Sequence, residues 1–183
     1  MATRTSFFNG VPYDADTVNR RFGYMFSDGI ISGENGVGSS LEVTLKTGMT
    51  VTVAPGVFHI QGAVLELYED GEDLTLPAAD PGLPRYDTVV VEYNLNTDVN
   101  DARVSVVPGT PASAPVVPIL SKTALLYQYP LAHVFVPAGT LTAGTITDAR
   151  SEVCRVLTQT YKYGTVLPDA GSEGDVFFLL TEA

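Results

Sequence analysis

The sequence has one cysteine and no tryptophan among its 183 residues. A single thiol, Cys154, excludes an intrachain disulfide, so no covalent crosslink within the chain holds the fold. Cys154 lies in a strand predicted at residues 153–157, where we expect a buried and unreactive thiol. Because sugar-binding sites usually present aromatic faces, tyrosine would have to provide those faces in this chain.

Positive charge is also scarce. Ten lysine and arginine residues stand against 21 aspartate and glutamate residues, which gives a formal net charge of -11. Binding of a nucleic-acid backbone requires clustered basic side chains, so the composition predicts no nucleic-acid partner. The same acidic surface disfavours binding to anionic membranes.

Long apolar runs are missing as well. None approaches the roughly 18–20 residues that a membrane span needs, so we expect no membrane insertion. The first ten residues lack the apolar core that is typical of a signal peptide. We therefore expect the protein to be made and folded in a cytoplasm, wherever it later acts.

The two histidines, His59 and His133, have neither the HxH nor the HExxH spacing that is typical of zinc sites. The default interpretation is that both are ordinary strand residues. A zinc site formed by the two histidines with Cys154 stays an alternative.

Asn96, Asp98 and Asn100 imitate the first ligands of a calcium-binding loop. Such a loop needs glycine at its sixth position and an acid at its twelfth, where this chain has Asp101 and Val107. A solvated hairpin tip is therefore the interpretation. Because the sequence also lacks a nucleophile elbow and a phosphate loop, it predicts no enzyme, no catalytic residue, no metal ligand and no cofactor.

The residues that are abundant indicate a β protein. Hydrophobic residues make up 45% of the chain, and 17 glycines with 12 prolines suit short strands joined by turns. Alternating polarity from Leu41 to Lys46 and from Met49 to Val53 predicts half-buried antiparallel strands. Thr88–Leu95 is predicted to be the central strand. Residues 108–118 are rich in proline and are not expected to pair in a sheet.

Residues 14–28 form the one predicted helix. Its start can be capped by Asp14 or Asp16, and Asp28-Gly29 is expected to end it. Four apolar side chains share one face of this helix: Val18, Phe22, Met25 and Phe26. We expect this amphipathic face to cover one face or one open edge of a sheet.

Three regions follow from these patterns. Residues 1–40 hold an N-terminal arm and the helix, residues 41–157 a β-rich body, and residues 158–183 a C-terminal hairpin or connector. The predicted fold is mainly β: an antiparallel β-sandwich or partly open barrel with one N-terminal amphipathic helix and a C-terminal β-hairpin appendage.

Two pairs of opposite charges lie two residues apart, Arg85 with Asp87 and Asp148 with Arg150. Pairs like these at strand starts can bind backbone ends and fix the register of a strand. A catalytic interpretation lacks a nearby nucleophile or histidine. Glu66, between Leu65 and Leu67, is expected to face solvent.

Aromatic residues in the arm, in the helix and in the C-terminal hairpin need partners, because a lone hairpin or arm buries little. The predicted subunit-interface residues are Phe7, Phe8, Phe22, Phe26, Tyr161, Tyr163, Phe177 and Phe178. Assembly of identical chains around a symmetry axis would bury them.

An ordered set of motifs spans roughly residues 5–155. Its members are Phe7-Phe8-Asn9, Tyr13, Phe26-Ser27-Asp28-Gly29, Gly48-Met49-x-Val51-x-Val53-x-Pro55-Gly56, Gly62, Arg85-x-Asp87-x-Val89-Val90, Gly109-Thr110-Pro111, Pro115, Pro118, Leu131-Ala132-x-Val134-x-Val136, Ala138-Gly139 and Ile146-x-Asp148-x-Arg150. The set resembles the N-terminal, virion-attached module of tail-appendage and upper-baseplate proteins of tailed bacteriophages.

Residues 164–180 are similar to tail-fibre segments that precede a distal module. No distal module follows here, from which we expect a short adaptor or a chain cut at a module boundary.

This resemblance implies a homo-oligomeric virion component, with a trimer favoured over a hexamer, that lies between the tail and the receptor-binding parts. Its expected partners are other copies of itself and other tail or baseplate proteins. A carbohydrate-binding module for host recognition is the alternative, with Tyr127, Tyr129, Tyr161 and Tyr163 as candidate residues. A wall-degrading enzyme is a third hypothesis, and the missing catalytic constellation argues against it.

Overall fold

The structure is a computed structural model that describes residues 14–32, 37–96, 100–151, 153–156, 161–164 and 176–179. It has one helix, α1 (Ala15–Met25), followed by strands. The strands are β1 (Gly29–Ile31), β2 (Val43–Leu45), β3 (Thr50–Val53), β4 (Gly56–Ile60), β5 (Ala63–Leu67), β6 (Glu72–Thr75), β7 (Arg85–Asn94), β8 (Asp101–Val107), β9 (Leu126–Val136), β10 (Ile146–Asp148), β11 (Tyr161–Gly164) and β12 (Val176–Leu179).

The predicted mainly β fold is confirmed. Three antiparallel sheets have the strand orders β2-β3-β6, β1-β4-β5 and β10-β9-β7-β8, and they pack in a sandwich-like arrangement. Within the described residues these sheets stay separate, and no sheet closes on itself. β1 belongs to the region predicted as arm and helix, yet it pairs with β4 of the body.

The four-stranded sheet supplies more of the core than either of the other two sheets. β7 lies between β8 and β9, as predicted for the most apolar segment. Its side chains Val89 and Val91 belong to one apolar cluster with Val51 of the first sheet and Phe58 of the second. Alternate residues of a strand point to opposite faces, so one face of β7 buries this set. The cluster therefore holds the three sheets together.

A β-bulge interrupts the pairing of β7 with β9. Val89 is opposite Ala132 whereas Val90 is opposite Pro130, so Leu131 is the additional residue. Pro130 cannot donate to a ladder, and a bulge is one of the few places in a sheet that tolerates it. The bulge explains why β9 can begin at Leu126, although only residues 131–136 were predicted as a strand.

Helix α1 begins where the sequence predicts and ends earlier. The Asp14 side chain accepts a hydrogen bond from the Thr17 amide at 2.8 Å, which makes Asp14 the N-cap. The helix ends at Met25 rather than Asp28, because Phe26 is extended and forms an isolated bridge with Val156. Asp28 instead accepts hydrogen bonds from the backbone and side chain of Gln61.

Two predictions about the C-terminal part are wrong. Residues 153–156, the described part of the strand predicted at 153–157, do not form a regular strand, because Val153 and Val156 make only isolated bridges, with Ile30 and Phe26 respectively. β11 and β12 exist, but they pair in parallel, so they are not a hairpin. A hairpin turn joins antiparallel strands, whereas a parallel pair needs a longer crossover connection.

Candidate interaction site

A buried ion pair fixes the start of β7. Arg85 Nε lies 2.8 Å from Asp87 Oδ1, and Arg85 Nη2 lies 3.0 Å from Asp87 Oδ2. The same guanidinium donates to the carbonyl oxygens of Ala78 and Pro77, at 2.8 and 2.6 Å. Asp87 Oδ1 also accepts a hydrogen bond from the Gly109 amide at 3.0 Å. The pair therefore joins three segments of the chain at one buried point.

A second ion pair makes similar hydrogen bonds at the end of β10. Arg150 Nε and Nη2 bind the two carboxylate oxygens of Asp148 at 3.0 and 2.7 Å. Arg150 Nη1 donates to the carbonyl oxygens of Gly38 and Ser40, at 3.1 and 2.8 Å. These hydrogen bonds hold the segment before β2 against the end of β10. The prediction that both pairs bind backbone groups is thus confirmed, although the second pair lies at the end of its strand rather than at the start.

The connection between β8 and β9, residues 108–125, is called here the proline-rich segment. It contains no regular strand, as predicted for residues 108–118, and its length exceeds the roughly 12–15 residues beyond which such loops are uncommon. Its beginning is held by the bond from Gly109 to Asp87 and by a hydrogen bond from the Ala112 amide to the Pro84 carbonyl. Near its end, Ser121 and Gln128 exchange hydrogen bonds of 2.9 Å.

Gln128 also connects this segment to a buried carboxylate. Glu92 is 5% exposed and accepts hydrogen bonds from Gln128 Nε2 at 3.2 Å and from Arg103 Nε at 2.9 Å. Burial acts to raise the pKa of Glu92, but the hydrogen bonds from Gln128 and Arg103 outweigh it and lower the pKa below its ordinary value. A charged network of β7, β8 and β9 thus supports the far end of the proline-rich segment.

Between these two attachments the proline-rich segment exposes large apolar side chains. Ile119 is 98% exposed and Val116 is 75% exposed, and Val117 and Leu125 are exposed as well. These side chains belong to one segment of the chain, and exposed apolar surface of this kind is typical of protein interaction sites when it is contiguous. The exposure of these residues was not predicted from the sequence. The signal was present, because prolines that prevent strand pairing also keep the intervening valines and isoleucine out of a sheet.

The helix forms a second apolar surface. Phe22 and Met25 are exposed, although their predicted role was to cover a sheet. The helix instead approaches the body at Asn19 and Gly23, next to the turn between β4 and β5. Gly62 in that turn has a φ of +84°, and a Cβ there would overlap the Asn19 carbonyl oxygen. This close approach leaves Phe22 and Met25 exposed.

A small apolar cavity opens beside this helix and is called here the helix cavity. It has a volume of about 150 Å³. Its lining residues are Phe22, Phe26, Ile31, His59, Val64 and Cys154. The Phe22 and Phe26 rings stack with centroids 6.2 Å apart, and the Phe26 ring meets His59 edge-on at 5.8 Å. The structure thus brings two of the predicted interface residues together at one site.

The histidines and the cysteine do not form the alternative zinc site. His133 Nδ1 lies 2.9 Å from Thr88 Oγ1, and His59 Nδ1 lies 3.1 Å from the Ser27 carbonyl oxygen. In the part of the chain that the structure describes, no three histidine, cysteine, aspartate or glutamate side chains are grouped as metal ligands. Burial lowers the pKa of His133, which favours its neutral form.

Cys154 differs from the prediction of a buried thiol in a strand. It is partly exposed and donates its backbone amide to the Ile30 carbonyl at 2.9 Å. Burial raises the pKa of the Cys154 thiol, and the nearby Asp28 carboxylate raises it further. The thiol is therefore protonated at neutral pH, which fits the predicted low reactivity.

Two tyrosines proposed for sugar binding have occupied ring faces. The Tyr129 ring lies 5.3 Å from that of Phe58, and Lys122 Nζ lies 3.8 Å from the Tyr129 centroid and 4.2 Å from that of Tyr127. A cation over an aromatic ring is itself a favourable contact. These rings serve packing rather than offering a free platform.

The other predicted interface residues are only partly described. Phe7 and Phe8 lie outside the described residues, as does Asp98 of the calcium-loop imitation. The remaining four belong to the parallel pair β11 and β12, of which only the backbone is described: Tyr161, Tyr163, Phe177 and Phe178. Their role as interface residues stays a prediction.

Comparison with protein-family models and with curated proteins finds no match to this chain. No helix in the described ranges has the length and apolar character to cross a membrane.

Proposed function

We propose that this protein is a non-enzymatic structural protein of a bacteriophage tail or baseplate. It acts as a homo-oligomeric adaptor that links the tail to receptor-binding components, and it is located in the virion after synthesis in the host cytoplasm. The ordered motifs from Phe7 to Arg150 motivate the phage assignment. The contacts of the described residues motivate the role as an assembly scaffold.

The single observation that carries the scaffold role is the exposed proline-rich segment. Loops of this length in compact domains are usually either functional or disordered linkers. This one is attached at Gly109 and at Ser121, so its backbone is held in place while Val116 and Ile119 face outward. A fixed backbone loses little further entropy on binding, which favours its use as an interface.

Identical chains around a symmetry axis would bury three or more copies of this segment against one another. A trimer is favoured by the resemblance to tail-appendage modules, and a hexamer is the alternative. The proposed interface is apolar at its centre, where charged side chains are usually depleted. Stable assemblies of this kind bury on the order of 2,000 Å² or more.

Sedimentation velocity of matched aspartate variants tests this proposal. Ile119→Asp places a charge on the proposed interface and is expected to shift the protein to monomers. Leu141→Asp is the control, because Leu141 is 86% exposed but lies in another loop, between β9 and β10. An assembly that withstands Ile119→Asp as well as Leu141→Asp would remove the proline-rich segment from the interface.

A second candidate function is carbohydrate binding during host recognition. A groove of about 340 Å³ lies between the start of α1 and the β7–β8 hairpin. It combines the Tyr93 ring with the side-chain types of Asn19, Asn100 and Asp101. An aromatic residue beside amides and a carboxylate is chemistry that suits a neutral sugar.

A glycan array with the purified chain tests the second function. Specific binding that is lost in Asp101→Ala and kept in Tyr68→Ala would support it, since Tyr68 is an exposed tyrosine outside the groove. If the protein bound no glycan on the array, carbohydrate binding would be excluded and the scaffold role would be the remaining candidate function.

A further inference from the structure

The helix cavity has the size and chemistry of a site for one aromatic ring. Its volume is about 150 Å³, and its surface is apolar. An apolar protein cavity of about this volume is large enough to bind benzene. His59, which forms part of the wall, is 2% exposed, and its buried Nε2 atom has no hydrogen-bond partner among the described residues. Because the Nε2 atom is buried and the surface of the cavity is apolar, the site favours an apolar ligand over a polar one.

The same chain carries a source of such a ring close by in sequence. Phe7-Phe8 precedes the helix N-cap, Asp14, by a few residues. Phe8 lies six positions before Asp14, and six extended residues span up to about 20 Å. Phe22 lies about 12 Å from Asp14 along the helix, at about 1.5 Å for each residue. The chain is therefore long enough to return along α1 to the cavity.

A second cavity lies on the path that this return would follow. It is the groove of about 340 Å³ beside Ala15 and Asn19, at the beginning of α1. Val64 lines this groove and the helix cavity, so the two are neighbours on one side of the helix.

We propose that a phenyl side chain of the Phe7-Phe8 pair, from the same chain, occupies the helix cavity. In an extended segment neighbouring side chains point to opposite sides, so one ring enters the cavity and the other does not. The docked arm covers Phe22 and Phe26 within each subunit. It leaves the proline-rich segment as the apolar surface for assembly, and it does not depend on the phage assignment.

Cys154 provides a direct readout, because it lines the helix cavity and is the only thiol of the chain. The rate at which a disulfide reagent such as DTNB labels Cys154 is measured in the full-length protein and in Phe7→Ala, Phe8→Ala and the double variant. One single variant and the double variant are expected to react about tenfold faster, which corresponds to about 1.4 kcal/mol. The other single variant is expected to react at the unchanged rate.

Tyr24→Ala is the matched control, since Tyr24 is an exposed aromatic residue of α1 that does not line the cavity. Its Cys154 should react at the rate of the unmodified protein. Unchanged rates in the single and double phenylalanine variants would overturn the proposal. So would a labelling rate of the full-length protein that depends on protein concentration, because the ring would then come from a second copy.

Benzene added to the double variant gives a second measurement, which does not depend on comparing labelling rates between variants. If the ring site is empty in this variant, benzene is expected to slow the labelling of Cys154 in a saturable manner. Fast labelling that benzene does not slow would place the effect of the phenylalanines elsewhere and overturn the proposal.

Discussion

The two arginine–aspartate pairs make nearly the same hydrogen bonds in different surroundings. In each, a guanidinium binds a carboxylate two residues away and two backbone carbonyls of another segment. The Arg85 and Asp87 side chains are 5% and 0% exposed, whereas those of Arg150 and Asp148 are 5% and 54% exposed. The two pairs therefore differ almost entirely in the exposure of the aspartate carboxylate.

This comparison indicates which partner of each pair the fold depends on. A buried charge that loses its partner stays uncompensated, which costs far more than the pair itself contributes. At the first site both partners are buried, so removal of either leaves a buried charge. At the second site water can replace the exposed carboxylate, so the arginine carries the structural role.

The largest expected effect is that of Asp87→Asn, which leaves the Arg85 charge buried without a counter-charge. We expect a loss of about 3–5 kcal/mol in the free energy of unfolding, measured by urea titration. Asp148→Asn is the matched change at the exposed carboxylate and should cost less than about 1 kcal/mol. Equal losses in the two variants would show that burial of the carboxylate does not determine how much each pair stabilises the fold.

The next effect concerns the segment that reaches the buried pair. A Cβ at Gly109 would overlap the carbonyl oxygen of Tyr86, so Gly109→Ala must displace the amide that binds Asp87. We expect a loss of about 1–3 kcal/mol. Gly82→Ala is the control, because the nearest atom to its Cβ, an Asp80 carboxylate oxygen, would be 3.8 Å away. Similar denaturation midpoints for the two variants would contradict the close approach.

Within the second pair, removal of the arginine should cost more than removal of its partner. Arg150→Ala deprives the Gly38 and Ser40 carbonyls of their donor, and we expect a loss of about 1–3 kcal/mol. Asp148→Ala keeps those two bonds and should cost less than about 1 kcal/mol. The reverse order in thermal or urea unfolding would assign the structural role to the carboxylate.

The smallest effect is a pH dependence. Hydrogen bonds from Arg150 hold the pKa of Asp148 below its usual range. A carboxyl group whose folded pKa is lowered stabilises the fold above its unfolded pKa, and that contribution is lost as the pH falls through the folded pKa. The stability of Asp148→Asn should therefore fall less than that of the unmodified protein below about pH 4. Parallel stability curves would mean that Asp148 titrates identically in both states.

The sequence was most informative where local signals and packing agree. The Thr88–Leu95 prediction succeeded because an apolar run of this kind is buried on both faces, and β7 is the central strand of its sheet. Asp14 was predicted as a cap because the capping bond is local. Both ion pairs were predicted from the spacing of their residues, but their burial depends on which segments of the chain pack around them.

The errors concern features that tertiary contacts decide. Spacing predicted a buried face with Phe22 and Met25, but the fit of Asn19 against Gly62 determines how the helix rests. Turn-forming residues predicted a C-terminal hairpin, although β11 and β12 pair in parallel. The exposure of Ile119 could not be predicted from polarity, since an isoleucine is ordinarily buried.

The central claim is that this β scaffold assembles with copies of itself through the proline-rich segment. Static light scattering on the purified full-length chain over a concentration series tests it most directly. The expected mass is about three times the 19.5 kDa of one chain, with six times as the alternative. A mass of one chain at every concentration, with the fold intact by circular dichroism, would contradict the claim.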